Sequence, residues 1–178
     1  MGRDKAFLPL PGRSGETLAQ SVARAVMEAA GNATLVGDPE RYGPLGHPVI
    51  PDLYPGEGPL GGILTVLEHT AADWNLVAAC DMPGLTADFL RKLLETARAQ
   101  EADILLPVGP VGKPEVLCAV YRKRALEGLA AAFQEGVRKV AWAVAKASGL
   151  RTVFFKFAEV SVFQNVNTPE EWAAHGAD

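Results

Sequence analysis

The chain has 178 residues, 48% of them hydrophobic and 21% charged, with 17 Lys and Arg against 21 Asp and Glu for a formal net charge of −4. That length suits one domain, since domains commonly run to about 100–200 residues, and the balance excludes the low-hydrophobicity, high-charge signature of disorder. A sequence pI of about 5.4 argues against a broad basic surface for nucleic acid while leaving room for one bound nucleotide.

In chain order, Leu18, Val22, Ala25, Val26 and Ala29 recur at helical spacing within residues 16–30, and Gly31-Asn32 stops the pattern. Short apolar runs at Thr34–Val36 and Val49-Ile50 read as buried strands on either side of a turn-rich stretch, 37–48. Gly61–Thr70 reads as a helix, and Trp74–Cys80 as an unbroken apolar strand that stops at Asp81. A helix over 86–99 capped by Thr86, a strand over Asp103–Val108 and a loop over Gly109–Pro114 follow. The remainder reads as a strand at Glu115–Tyr121, helices at 123–133 and 138–147, a strand at Thr152–Phe157 and a last helix at 168–174 behind Thr168-Pro169. Unbroken apolar strands alternating with helices predict a three-layer α/β/α sandwich around a mostly parallel sheet, with ligands beyond the carboxyl ends of the strands.

Cys80 and Cys118 stand in apolar runs without metal-ligand spacing, so two reduced thiols are expected. His47, His69 and His175 are scattered and form no visible set. No apolar run reaches the roughly 18–20 residues that span a bilayer, and MGRDKAF lacks a signal-peptide core. The cytoplasm is therefore the expected location.

Five features carry candidate chemistry. Gly56, Gly58 and Gly61 spell a GxGxxG, but Pro51, Pro55 and Pro59 interrupt the strand-to-helix turn that a dinucleotide fingerprint needs. A Pro/Gly turn feeding the next helix explains the same glycines, and a dinucleotide-dependent oxidoreductase stays open as an alternative. Asp81, in Cys80-Asp81-Met82-Pro83, ends a buried strand where an ionised carboxylate suits Mg²⁺ bridging phosphate oxygens. Lys5 belongs to a basic amino end, with Arg3 and Arg13, where an ammonium can neutralise charge on a triphosphate. Asn165 and Asn167, two apart, present paired amides if extended, although Asn167-Thr168 also fits a turn and helix cap. Arg138-Lys139 places two cations at the start of a helix, where the macrodipole disfavours them unless they meet an anion.

As an ordered set, MG-R-DK at 1–5, Asp52 with GPLGG at 52–62, CDMP at 80–83, GVRKV at 136–140 and FQNVNTPEEW at 163–172 resemble the molybdenum cofactor guanylyltransferase family. The resemblance implies transfer of GMP from GTP to the terminal phosphate of molybdopterin cofactor, with release of pyrophosphate and Mg²⁺ as cofactor. By position it assigns Lys5 to the phosphates, Asp52 and Gly58 to the nucleotide, Asp81 to both GTP and Mg²⁺, and Asn165 and Asn167 to the pterin. Transient contact with molybdoenzymes or cofactor-synthesis proteins is a further implication. Family members open with a strand and a glycine-rich loop of the form LAGGxSxRMGxDK, whereas this sequence opens at MG-R-DK. A single domain completed by residues upstream of Met1 is therefore the expectation. A cytidylyltransferase and a non-catalytic carrier of the cofactor are the other readings.

Overall fold

The computed structural model describes residues 4–10 and 15–157. Helix α1 (Leu18–Ala30) begins where Thr17 and Gln20 form a reciprocal capping box and ends on Gly31 in the left-handed region. Strands β1 (Leu35–Val36) and β2 (Val49–Ile50) pair in parallel as a two-stranded ribbon. Between them the turn-rich stretch holds a short helix, α2 (Pro39–Tyr42), set by the Asp38 cap and Pro39 at its first position. Helix α3 (Pro59–His69) starts at the proline. It is followed by β3 (Trp74–Ala78), then α4 (Ala87–Ala99) with Thr86 as its cap, accepting from the Phe89 amide. Strands β4 (Ile104–Val108) and β5 (Cys118–Arg122), helices α5 (Ala125–Gln134) and α6 (Val140–Lys146), and β6 (Thr152–Lys156) complete the described fold. The helix expected at 168–174 lies outside the described residues.

The main sheet has the order β3-β5-β4-β6. Three of its strands run the same way, while β5 runs antiparallel to both β3 and β4. The antiparallel turn comes from 109–114, where Gly112 takes a positive φ and Val108 bridges Pro114. The strand after it starts at Cys118, three residues later than the apolar run suggests, because the Glu115 amide is already bonded to the Pro107 carbonyl in that turn.

Side-chain alternation along β4 and β5 builds two cores, one on each face of the sheet. Ile104, Leu106, Ala119 and Tyr121 pack with α3, α5 and α6, whereas Leu105, Cys118 and Val120 pack with α1 and α4. This is the expected α/β/α sandwich. No helix among the described residues is long and apolar enough to cross a membrane.

Asp103 ties three strands together at one end of the sheet. Its carbonyl accepts the Arg122 amide, its amide donates to the Arg151 carbonyl, and its Oδ2 accepts the Arg151 amide at 2.8 Å. The residue is 2% exposed, with Oδ1 3.3 Å from Arg124 Nε. Removing it takes the acceptor from the part-buried Arg151 amide and the carboxylate from Arg124, so Asp103→Ala should cost about 1–3 kcal/mol of stability. Urea denaturation measures this, and a loss under about 0.5 kcal/mol, the level of an ordinary surface change, would show that the strands hold without it.

Candidate functional site

The amino-terminal segment is fixed by Asp4. Its Oδ1 accepts from the Ala6 amide at 3.0 Å and caps a single 3₁₀ turn, Lys5–Phe7. Its Oδ2 accepts the Tyr42 hydroxyl at 2.8 Å and pairs with Arg41 at 2.8 Å. The Phe7 and Tyr42 rings stack with centroids 5.8 Å apart. Held this way, Lys5 reaches across the fold, and its Nζ donates to Asp81 Oδ2 at 3.4 Å.

Asp81 comes into reach because β3 stops at Ala78 while the Ala79 amide still bonds Leu117 on the β5 side, projecting the next residues past the sheet edge. Both charged groups keep access to solvent, the Lys5 and Asp81 side chains being 32% and 23% exposed. The fold thus brings together the two residues that the sequence singled out for phosphate and metal. Beside them Cys80 packs on Ala6, Ala19 and Leu45. Burial, and then the Asp81 carboxylate, push its thiol up to about 11. Burial raises the Cys118 thiol as well. Both cysteines are free and stay neutral near pH 7, as expected of thiols with no nucleophilic task.

Asp52 has a different immediate job. Its Oδ1 accepts from the Tyr54 amide at 2.9 Å and from the Thr65 hydroxyl at 3.1 Å, while Thr65 Oγ1 accepts the Leu53 amide at 3.0 Å. Thr65 is fully buried on α3, so these bonds pin the loop 52–57 to the helix. The hydrogen bonds of Asp52 go to that loop and helix rather than to Lys5 or Asp81. Thr65 carried no signal in the sequence, because its role needs a partner on another element.

The glycines of the same loop are explained by backbone geometry. Gly58 sits at φ 79° as the residue before α3, a conformation that side chains disfavour. At Gly61 a Cβ would lie 2.8 Å from Tyr54 Cβ, so only glycine lets the loop touch the helix. Residues 51–58 separate β2 from α3, which removes the strand running straight into the glycines that a dinucleotide fingerprint requires. The first turn of α3 has no side-chain cap; Pro59 carries no N–H, and the Gly61 amide donates to the Gly58 carbonyl at 3.0 Å. Pro59, Gly62 and Ile63 from that turn line a cavity of about 370 Å³ together with Asp4, Tyr42 and Cys80.

Helix α6 begins at Val140, so Arg138 precedes it and Lys139 is its capping residue. Lys139 thus stays at the helix start, its ammonium 4.7 Å from the centroid of the Trp142 ring. Arg138 lies 4.0 Å over the Phe133 ring and pairs with Glu57 of the glycine loop, so its anion comes from within the chain. Among the described residues no three His, Cys, Asp or Glu side chains cluster to hold a metal. Asn165 and Asn167 lie outside the described residues. The Asp4, Arg41 and Tyr42 contacts were not anticipated; the only local trace is Asp38-Pro39, a helix-start signal.

The family profile described as the MobA-like NTP transferase domain matches residues 1–149. The chain belongs to this family. It is 33% identical to the molybdenum cofactor guanylyltransferase of Shewanella sp. (strain MR-4), over 96% of this chain and 85% of that one. It is 31% identical to the probable molybdenum cofactor guanylyltransferase of Deinococcus radiodurans, over 97% and 85%. The crystal structure of molybdopterin-guanine dinucleotide biosynthesis protein A from Archaeoglobus fulgidus superimposes with a TM-score of 0.77 at 25% identity, covering 98% of this chain and 90% of that one. The 2-C-methyl-D-erythritol 4-phosphate cytidylyltransferase of Thermus thermophilus, at 20% identity and a TM-score of 0.73 over 97% of this chain and 92% of that one, shares the fold. As a MobA-like NTP transferase the chain is a nucleotidyltransferase, which sets aside the oxidoreductase alternative.

The close approach at Gly61 gives a direct check on the loop. Gly61→Ala should destabilise the protein by about 1–3 kcal/mol, as overpacking does, and should raise proteolytic cleavage within 52–57. An unchanged cleavage rate with unchanged stability would show that the loop does not depend on that contact.

Proposed function

We propose that this protein transfers GMP from GTP to the terminal phosphate of molybdopterin cofactor, forming the guanine dinucleotide cofactor and releasing pyrophosphate. The observation that carries the reading is the 3.4 Å approach of Lys5 Nζ to Asp81 Oδ2 past the end of β3, where a doubly covered α/β sheet offers its ligand crevice. The names of the relatives that align with 85% of their own length supply the substrates.

In the reaction an oxygen of the acceptor phosphate attacks the α-phosphorus of GTP. The bond from that phosphorus to the bridging oxygen breaks, and pyrophosphate leaves with the electron pair. Little covalent work falls to the protein, so positioning and charge stabilisation dominate. Lys5 places its ammonium on the triphosphate and offsets negative charge as it moves to the leaving group. Asp4, by capping the 3₁₀ turn and holding Tyr42 and Arg41, fixes where that ammonium can reach. Asp52 with Gly58 shapes the loop along the nucleoside.

A divalent cation fits this donor set. Mg²⁺ is commonly held by one or two carboxylates together with substrate phosphates rather than by an all-protein cage, and Asp81 offers one partly exposed carboxylate. Asp81 would hold the ion, which when bound polarises phosphate oxygens and neutralises charge. Asn165 and Asn167 take the pterin side, and the cytoplasm is the site of the reaction.

Titration of the protein with GTP, with and without Mg²⁺, tests the assignment. Asp81→Ala should weaken Mg²⁺-dependent GTP binding at least about tenfold, the loss expected for one charged contact. Unchanged affinity would remove the metal role from Asp81. Lys5→Ala should lower the rate of pyrophosphate release roughly 10²–10³-fold, as the loss of a transition-state charge stabiliser does. A variant that keeps the full rate would contradict its place on the triphosphate.

A further inference from the structure

The loop between β2 and α3 closes with Gly56-Glu57-Gly58, in which Gly56 takes φ 82° and Gly58 φ 79°. Each glycine leaves its own dihedrals loosely restrained, and Glu57 is the one side chain in this stretch that can hold it. The other anchors act on either side. Asp52 bonds Thr65, Tyr54 donates to Glu68 at 2.6 Å and packs on Gly61, and the Gly58 carbonyl accepts the Gly61 amide. Between them the Glu57 amide returns to the Tyr54 carbonyl at 3.1 Å, and the Glu57 carboxylate pairs with Arg138.

Arg138 reaches Glu57 from 81 positions further along the chain. Helix α5 ends at Gln134, Gly136 takes φ 87°, and the Gly136 and Val137 amides bond back to the Phe133 and Ala132 carbonyls. That turn lays Arg138 over the end of the helix it follows. Its Nη1 donates to the Phe133 carbonyl at 2.7 Å and to the Val137 carbonyl at 3.1 Å, and the guanidinium carbon lies 4.0 Å from the centroid of the Phe133 ring. A cation is favoured both at a helix carboxyl end, by the macrodipole, and on an aromatic face, by the charge distribution of the ring.

An exposed ion pair contributes little, in good part because two long side chains must be ordered to make it. Here the guanidinium is already fixed by contacts with Phe133 and Val137 that do not involve Glu57, so only one side chain is left to order. Phe133 also meets the loop directly, its ring edge-on to Tyr54 with centroids 5.0 Å apart and planes at 63°. Tyr54 is therefore clamped between Gly61 of α3 and the end of α5, and Arg138 extends the clamp past Tyr54 to the glycine-flanked residue that α3 does not hold.

We propose that Arg138 is a positioning residue for the nucleotide, acting through Glu57 without touching the substrate; this rests on the reading of the 52–58 loop as the wall along the nucleoside of GTP. By fixing the backbone at 56–58 before GTP arrives, the pair removes an ordering cost that binding would otherwise meet. Its effect therefore falls on affinity. The rate of the transfer step follows Lys5 and Asp81, which stand on other elements.

The test compares Arg138→Ala, Glu57→Gln and the double variant of the full chain, by calorimetric titration with GTP and Mg²⁺, by pyrophosphate release, and by hydrogen exchange of the residue-57 amide without nucleotide. Both side chains are half-exposed, so the variants should fold with unchanged urea midpoints. Each single variant should raise Kd and KM for GTP about three- to fivefold, the effect of one ion pair, with kcat within about twofold of the parent. Exchange at residue 57 should quicken by a similar factor, and the double variant should be no worse than either single one. The sign of the Glu57→Gln effect is decisive. If Arg138 met a phosphate directly, or acted only as a remote positive charge, Glu57→Gln would leave GTP affinity unchanged or tighten it, and that result would overturn the proposal. Additive losses in the double variant, a loss confined to kcat, or unchanged exchange at residue 57 would overturn it as well. A parent chain that binds no GTP would strike the reading beneath the proposal and the proposal with it, whereas normal GTP binding by both single variants would strike the proposal alone.

Discussion

An ammonium and a carboxylate 76 positions apart in the chain, held 3.4 Å from each other, are what the geometry of this fold is arranged around. Neither residue lies within regular strand or α-helix. Asp81 is delivered by a strand whose far edge is bonded to β5 and whose pairing runs one residue past its last strand residue. Lys5 is delivered by a single 3₁₀ turn that would have no stability alone and is held by Asp4, Tyr42, Arg41 and Phe7. A charged pair that keeps partial access to water contributes little to stability. Its value lies in where it leaves two charges.

The loop at 52–62 follows the same logic with different means. Thr65 is buried on α3 and has two bonds to the loop, one given and one accepted. Gly61 supplies the missing side chain that lets Tyr54 sit against the helix, and Arg138 meets Glu57 from the opposite wall. The result is an uncapped helix start opening on the cavity that Asp4 and Cys80 share. Such a frame suits a transfer in which positioning and charge stabilisation do most of the work.

Much of this was legible in the sequence because it is local. The Thr86 cap and the Gly31 stop each depend on a few adjacent residues and stand where the pattern put them, and the apolar strand starts at Trp74 as read but ends at Ala78, two residues short of Cys80. The ordered motifs then located Lys5 and Asp81 as a set, and the family match agrees with the resemblance that they carry. What escaped depends on residues far apart. The direction of β5 is invisible in an apolar run, since alternation is the same either way. The Asp4 clamp needs α2 to be placed before Tyr42 means anything, and Asp52 reads as a free carboxylate until Thr65 is known to face it. Arg138 looked like a helix-start cation because the boundary was set two residues early.

The account's central claim is that Asp81 and Lys5 share one triphosphate. A crystal structure of the protein with a non-hydrolysable GTP analogue and Mn²⁺ tests it most directly, because the anomalous signal of manganese fixes the metal independently of the nucleotide. The account predicts a manganese peak within coordination distance of an Asp81 oxygen, with Lys5 Nζ turned from that carboxylate onto a phosphate oxygen. A nucleotide bound elsewhere, with the Lys5–Asp81 pair still closed, would contradict it.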